Sequence, residues 1–414
     1  MGTTAADWTF ASLVGDTESF FAQHFDRQPL LRRGALADRV RDLITVDRLD
    51  DVIALQVVPP AYVRLARDGQ GLSSKAYTRT TGDHATGLAE TVVPERVYEL
   101  FRSGATVTWN HLEHLLPSVR HLVDLFADTF ACPAEVVGFL TPAGHDGYAP
   151  HHDPVDVFVV QIEGTKDWQV WQPPADRRGD SARYPADRLG EPALRTTLHP
   201  GDVLYLPHGT PHAAAAREQV SLHLSVTVAP RRWRDLLAET VAELLRDEAF
   251  HAVPFLGGNP SGAVDGAADG GRRSRIADRY REKVADLCAR LTALAPEDET
   301  ARLAAVGRAQ AGVDRPREFA RLARLDALTA EARVRRTGTP VELGPSRDGR
   351  TPLLVNGHRL AVPDAVADTL RALDRGGSLR AGGFLAGAPE DRSVRAARQL
   401  ARLGVLQAAD RAED

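Results

Sequence analysis

Apolar and polar positions change period twice along this chain, and the changes divide it. From residue 8 to 58 the apolar side chains recur at helical spacing. In WTFASLVGDTESFFAQHFDRQPLLRRG, Asp16 or Thr17 stands as an N-cap, Phe20, Phe21 and Phe25 follow, and Pro29 and Gly34 close the unit. A second helix is predicted to start at Thr45 in TVDRLDDVIALQ. Between 62 and 110 the pattern is mixed. YVRLA and TVTW read as short strands, and a helix runs from about Pro94 to Ser103, its proline in the first turn where the missing N–H costs nothing. Residues 111–130, HLEHLLPSVRHLVDLFADTF, return to helical spacing, with Pro117 near a helix start.

Over 135–230 the period shortens to two. EVVGFLTPAG, VDVFVVQIEG, KDWQVWQPP, GDVLYLPHGTPH and VSLHLSVTVAP are five strand candidates separated by Gly and Pro. Short strands with no long helix between them predict an antiparallel barrel or sandwich. Helical spacing resumes from Trp233 to Phe250. PFLGGNPSGAVDGAADGG (254–271) reads as a loop or linker, and 274–333 as a long Arg- and Ala-rich helical region. PLLVNGHRLAV is a hairpin turning at Asn356-Gly357. Amphipathic helices over Ala365–Leu373 and Ser393–Leu403 complete a small C-terminal module.

Composition narrows the classes. A chain of 414 residues implies two or three domains. Its 43% apolar and 26% charged residues are those of a soluble globular protein. The net charge of −5 argues against non-specific coating of nucleic acid, and interleaved Glu and Asp make the arginine-rich stretch 272–336 a solvated helical face rather than an RNA surface. Cys132 and Cys288 have no zinc or redox spacing, so no disulfide framework is expected and a cytoplasmic location fits. The first residues show neither a basic nor an apolar leader pattern, and no run of about 18 apolar residues offers a membrane span.

The candidate chemistry centres on GYAPHHDPVDVFVVQIEGTKDWQVW, 147–171. His151 and Asp153 stand at the mouth of a strand-like run, where residues two apart share a face. GDVLYLPHGTPHAA supplies a third candidate ligand, His212, at 61 residues beyond His151, enough for the chain to cross a barrel and return. Two imidazoles and a carboxylate form the facial triad that leaves positions open on non-haem Fe(II), whereas a structural zinc site favours thiolates. His152 faces the opposite side of the strand and is read as a non-ligand. His111, Glu113 and His114 offer another ligand-like trio. Placed on a helix, residues 111 and 113 diverge, so HLEH is read as a solvated or capping cluster. Trp168 and Trp171 are read as core. Asp156 and His208 flank the motifs as candidate substrate contacts.

With these motifs in view, the chain resembles the JmjC oxygenases of the ribosomal oxygenase family. The likeness rests on FFAQHFDRQPLLRRG, TPAGHDGYAPHHDPVDVFVVQIEGTKDWQVW, GDVLYLPHGTPHAA and SLHLSV, and spans roughly residues 8–230. It implies an α+β fold with three parts. These are a double-stranded β-helix (the cupin or JmjC jelly roll) with N-terminal helices over 1–232, a helical dimerisation region over 233–335, and a winged-helix-like module over 336–414. It implies Fe(II) held by His151, Asp153 and His212, with 2-oxoglutarate as co-substrate. Lys166, in the turn of an EGTKDW hairpin, grips the distal carboxylate through charge-assisted bonds. Ser225 falls where the family often has a threonine serving the same end, and His223 either lines the pocket or fills the barrel. Phe139 departs from a frequent tyrosine. The implied activity is hydroxylation of a side chain in a protein, an Arg or His of a ribosomal protein. The alternatives are hydroxylation of a peptide natural product or amino acid, and a non-catalytic scaffold whose C-terminal module binds a partner or nucleic acid. A homodimer fits helices with apolar stripes to bury.

Overall fold

The computed structural model describes residues 8–36, 39–55, 57–81, 89–174, 177, 180–185, 188–253, 268–310, 322–323, 325–337, 339, 341–355, 358–374 and 377–408. The stretch 254–267 and the Asn356-Gly357 turn lie outside them. The chain divides into two compact units, Met1–Ala311 and Gly312–Asp414. No helix among the described residues is long and apolar enough to cross a membrane.

The first unit holds fifteen strands among the described residues: β1 (Leu30–Arg32), β2 (Val63–Arg67), β3 (Gln70–Gly71), β4 (Thr78–Thr80), β5 (Glu90–Val92), β6 (Thr106–Trp109), β7 (Ala134–Thr141), β8 (His151–His152), β9 (Asp156–Glu163), β10 (Lys166–Val170), β11 (Ala182–Arg183), β12 (Leu194–Leu198), β13 (Val203–Leu206), β14 (His212–Ala215) and β15 (Ser221–Val228). One antiparallel sheet runs β1-β13-β9-β15-β7-β6-β2-β3 and a second runs β11-β8-β14-β10-β12. Two sheets with strands far apart in sequence lying side by side make the jelly roll expected of a JmjC or cupin domain.

The five predicted strands in 135–230 all form. The smaller sheet owes most of its members to strands too short or too polar to show a period, β8, β11, β12 and β14. Two local expectations fail. Leu30–Arg32 lies within the stretch read as helical yet is a strand, pairing Leu30 with Tyr205 and Arg32 with Val203. A two-residue apolar run after Pro29, Leu30 and Leu31, is too short for periodicity to decide, and the free edge of β13 decides it. The EGTKDW segment is also no hairpin: β9 and β10 belong to different sheets. Gly164, at φ +62, turns the corner between them, where a Cβ would collide with the Val220 carbonyl.

Helix starts follow the local chemistry. Asp16 accepts from the Ser19 amide at 2.7 Å and Thr45 from the Arg48 amide at 3.3 Å, while Pro94 and Pro117 open the helices Pro94–Arg102 and Pro117–Phe130. The main core lies between these helices and the outer face of the larger sheet, with Phe10, Phe20, Phe126 and Phe158 interlocked at ring separations of 4.8–5.9 Å. A smaller core, including Val157, Val159, Trp168, Val170 and Leu206, fills one end of the space between the sheets. Beyond β15 come the helices Trp233–Leu244, Ala268–Ala293 and Pro296–Gln310. The second unit carries two three-stranded sheets and the helices Asp364–Asp374 and Glu390–Arg402 around its own core. Arg333–Arg336, which the sequence pattern left in the helical region, is one of its strands.

Candidate metal centre

The interior of the jelly roll holds a cavity of about 280 Å³ lined from both sheets, by Val137, Phe139, His223 and Ser225 on one side and His151, Lys166, Trp168 and His212 on the other. His151 and His212 are direct partners across the β8–β14 ladder, with ring centroids 4.5 Å apart. Asp153 follows β8 in a non-strand segment, so the His-x-Asp pair does not sit on one continuous strand as its spacing suggested. The residues still converge. Asp153 Oδ2 lies 3.9 Å from His151 Nε2 and 3.8 Å from His212 Nε2, and one ligand atom from each residue falls within 4.8 Å of the others.

The backbone orients both rings. His151 Nδ1 sits 2.8 Å from the Ala149 carbonyl and His212 Nδ1 3.0 Å from the Thr210 carbonyl. A carbonyl accepts only from N–H, so each ring carries its proton on Nδ1 and presents an unprotonated Nε2 to the shared centre. That is the support a metal-ligating imidazole requires. Burial, and then the charge of His151, push the His212 pKa down, which keeps the ligating neutral form. His152 points the other way, with Nδ1 2.6 Å from the Tyr184 hydroxyl and Nε2 2.9 Å from the Asp180 carbonyl.

Lys166 heads β10 and is 2% exposed. Its Nζ donates to Thr141 Oγ1 at 2.9 Å and approaches His223 Nδ1 at 3.5 Å, and no ion pair reaches it among the described residues. Burial lowers its pKa from 10.5 to about 7. A buried cation without an anion is a cradle for one. Gly147 keeps the approach open, since a Cβ there would stand 3.7 Å from Nζ and 3.1 Å from the Ala214 carbonyl. His223, held neutral by burial and by the Lys166 charge, stacks on Phe139 at 4.8 Å and 6°. It lines the cavity, as does Ser225 two residues on.

Sequence reasoning missed Thr141, Val137 and Tyr148. Thr141 and Val137 flank Phe139 at period two on β7, which pairs with β15 in register His223–Phe139, so counting outward from His223 on both strands would have found them. Trp168, read as core, is both core and cavity wall, 5.4 Å from the His223 ring. Asp156 and His208 line a different cavity. Asp156 accepts from the Tyr205 hydroxyl at 2.5 Å, and burial raises its pKa to about 6.

The histidines of the HLEH trio are about half exposed at a helix start, as in a solvated or capping cluster, but residues 111 and 113 do not diverge. His111 is not helical but takes the left-handed conformation at φ 51, ahead of the short helix Leu112–Leu115. That backbone swings its ring back over Glu113, and the ligand atoms of His111, Glu113 and His114 lie within 4.8 Å of one another.

The JmjC domain family matches residues 111–236, the span that carries both His/carboxylate groups and most of the jelly roll. Among curated proteins, ribosomal oxygenase 1 of Rattus norvegicus is 29% identical over 71% of this chain and 49% of its own length. The bifunctional lysine-specific demethylase and histidyl-hydroxylase NO66 of Drosophila willistoni is 32% identical over 46% of this chain and 27% of its own. The chain thus spans half or less of the length of these relatives. In fold it is similar to YcfD, a ribosomal oxygenase from Escherichia coli solved in complex with cobalt and 2-oxoglutarate. That likeness covers 96% of this chain and 99% of the other at TM-score 0.53 and 18% identity. The chain therefore carries a JmjC domain match over its central strands and is similar over 71% of its length to a curated ribosomal oxygenase.

Proposed function

We propose that this protein is an Fe(II)- and 2-oxoglutarate-dependent oxygenase that hydroxylates a protein side chain, an Arg or His of a ribosomal protein. The observation that carries the reading is Lys166. A fully buried lysine with no ion-pair partner among the described residues shares one 280 Å³ cavity with a two-His, one-carboxylate group whose imidazoles are both held with Nε2 inward. A structural metal site has no use for such a lysine, whereas a dicarboxylate with one end at the metal does.

His151, Asp153 and His212 would hold the iron. Lys166 would hold the far carboxylate of 2-oxoglutarate, with Ser225 and Thr141 as hydroxyl partners. His223 and Phe139, stacked, would form the wall that keeps the co-substrate in line, and Trp168 would close the cavity to water. Bound iron, with 2-oxoglutarate and dioxygen, supplies the oxidation that inserts one oxygen atom into a C–H bond and releases succinate and CO2. The chain orients both reactants and shields them. The ribosomal substrate class is supported by similarity to ribosomal oxygenase 1 and, in fold, to the ribosomal oxygenase YcfD.

The finer architecture belongs to the same reading. The helices of 233–335 would pair two copies of the chain. Supporting this, Trp233, Leu237, Tyr280 and Val284 on them are exposed apolar side chains. The module of 336–414 would be winged-helix-like, which its short strands and two helices suit, and the protein would work in the cytoplasm. Anaerobic addition of Fe(II) and 2-oxoglutarate should give a weak visible charge-transfer band, absent in His151→Ala, and succinate should appear under oxygen. No band and no succinate from the wild type would sink the proposal. Intact-mass measurement of ribosomal proteins from cells with and without the gene should then show a one-oxygen difference on the substrate.

A further inference from the structure

We propose a second metal site, distinct from the jelly-roll centre, formed by His111, Glu113 and His114 and suited to a divalent cation of the zinc class. Glu113 supplies a carboxylate whose side chain is 4% exposed, while the two imidazoles are about half exposed and open to solvent. Glu113 Oε1 lies 3.2 Å from His111 Nδ1 and 3.8 Å from His114 Nε2. Ligands at about 2.0–2.1 Å from a tetrahedral zinc stand roughly 3.3–3.5 Å apart. The three ligand atoms lie within 4.8 Å of one another, and the two rings, stacked at 5.1 Å and 8°, would turn toward a shared centre as the metal replaces the His111–Glu113 hydrogen bond. The spacing is as close as in the jelly-roll triad, where the corresponding distances are 3.9 and 3.8 Å.

The surroundings supply what ligand atoms of this kind need. Glu113 Oε2 is fixed by the Val136 amide at 2.9 Å, which leaves Oε1 free for the centre. The outward nitrogen of His114, Nδ1, is hydrogen-bonded to the Tyr62 hydroxyl at 3.4 Å, and the carboxylate of Glu135 stands 3.6 Å from His111 Nε2, beyond hydrogen-bond distance but near enough to favour its proton. An oxygen on the far ring nitrogen is the usual support of a metal-bound histidine. The backbone sets the geometry. His111 holds a left-handed conformation, which histidine tolerates better than most residues. It lets residues at i, i+2 and i+3 converge where a regular helix would part them.

The trio borders a cavity of about 390 Å³ that also takes in Arg120. Glu135, Val155 and Thr227 wall both that cavity and the central one. The ordinary alternative is a pair of imidazolium–carboxylate contacts with no metal, and stoichiometry separates the two.

Full-length protein stripped with chelator should take up two equivalents of Zn(II), measured by equilibrium dialysis with elemental analysis. The double variant His151→Ala/Asp153→Ala should retain one. His111→Ala/His114→Ala should also retain one, and should keep the anaerobic Fe(II) and 2-oxoglutarate band as evidence of a sound fold. Glu113→Gln, which keeps an acceptor for the Val136 amide, should weaken the second equivalent at least tenfold with unchanged thermal unfolding. A wild type that takes up a single equivalent would overturn the site, as would a His111/His114 variant that still takes two. Because Zn(II) uptake is read without turnover, the result does not depend on the oxygenase reading.

Discussion

Replacing Lys166 with methionine separates the cost of the buried charge from its use. The group's pKa falls from 10.5 to about 7 on burial, so the charged form carries a penalty of roughly 5 kcal/mol when no anion accompanies it. The folded value lies below the unfolded one, so the unfolded chain binds more protons between about pH 7 and 10.5. Wild-type stability should therefore rise with pH across that window, and the full penalty should be present below it. Lys166→Met removes this step. The variant should be several kcal/mol more stable than wild type near pH 6, by urea unfolding, with the gap closing toward pH 10. Binding runs the other way. A distal carboxylate that pairs with Nζ restores the charged form, so at pH 8 wild type should take up close to one proton per 2-oxoglutarate, seen as a binding enthalpy that depends on buffer ionisation. Truncating one partner of a buried charge pair costs about 2–5 kcal/mol, a loss of roughly 30- to 5000-fold in 2-oxoglutarate affinity. A variant that binds 2-oxoglutarate as well as wild type would refute the assignment. So would a wild type that shows no proton uptake.

The remaining predictions are smaller. Ser225→Ala deletes one hydroxyl from the cavity wall, and a hydrogen bond worth about 0.5–1.5 kcal/mol predicts a 2- to 12-fold rise in the KM for 2-oxoglutarate with kcat little changed. Steady-state kinetics with 2-oxoglutarate varied checks it. Gly164→Ala should cost about 2–4 kcal/mol in thermal unfolding, because its positive φ and its contact with the Val220 carbonyl both oppose a Cβ. Phe20→Ala should cost about 3–5 kcal/mol, since Phe20 is 1% exposed and its ring meets Phe10, Phe158 and Tyr205 at 5.0–5.9 Å.

What could be read in the sequence depended on whether the signal was local. The long strands β7, β9 and β15 announced themselves because eight residues are enough to show a period. His151, Asp153 and His212 stood out as a set because residue type carries the chemistry even when the backbone between them is unknown. Lys166 was visible only through resemblance, since nothing in EGTKDW tells a buried lysine from an exposed turn lysine. The crossing from one sheet to the other at Gly164 decides that, and crossing is a tertiary fact. The expected divergence of His111 and Glu113 failed for a local reason instead. One residue in the left-handed region breaks the angular arithmetic of a helix, and histidine is among the residues that tolerate it.

The faces of β15 and β7 show why the site and the fold are so cleanly separated. On β15, Leu222, Leu224, Val226 and Val228 pack outward into the main core, while His223, Ser225 and Thr227 point into the jelly roll. On β7, Val136 packs outward and Val137 and Phe139 line the cavity. An ordinary sandwich would bury its apolar faces against each other and leave polar faces to water. Here helices cover the outer face of the larger sheet and take up most of its apolar side chains, which frees part of the inner face, beside the smaller core, to carry polar groups. The same strand therefore carries stability on one parity of residues and chemistry on the other. Substitutions at 222, 224 and 226 should act on unfolding, and substitutions at 223 and 225 on co-substrate binding, although the two sets alternate residue by residue.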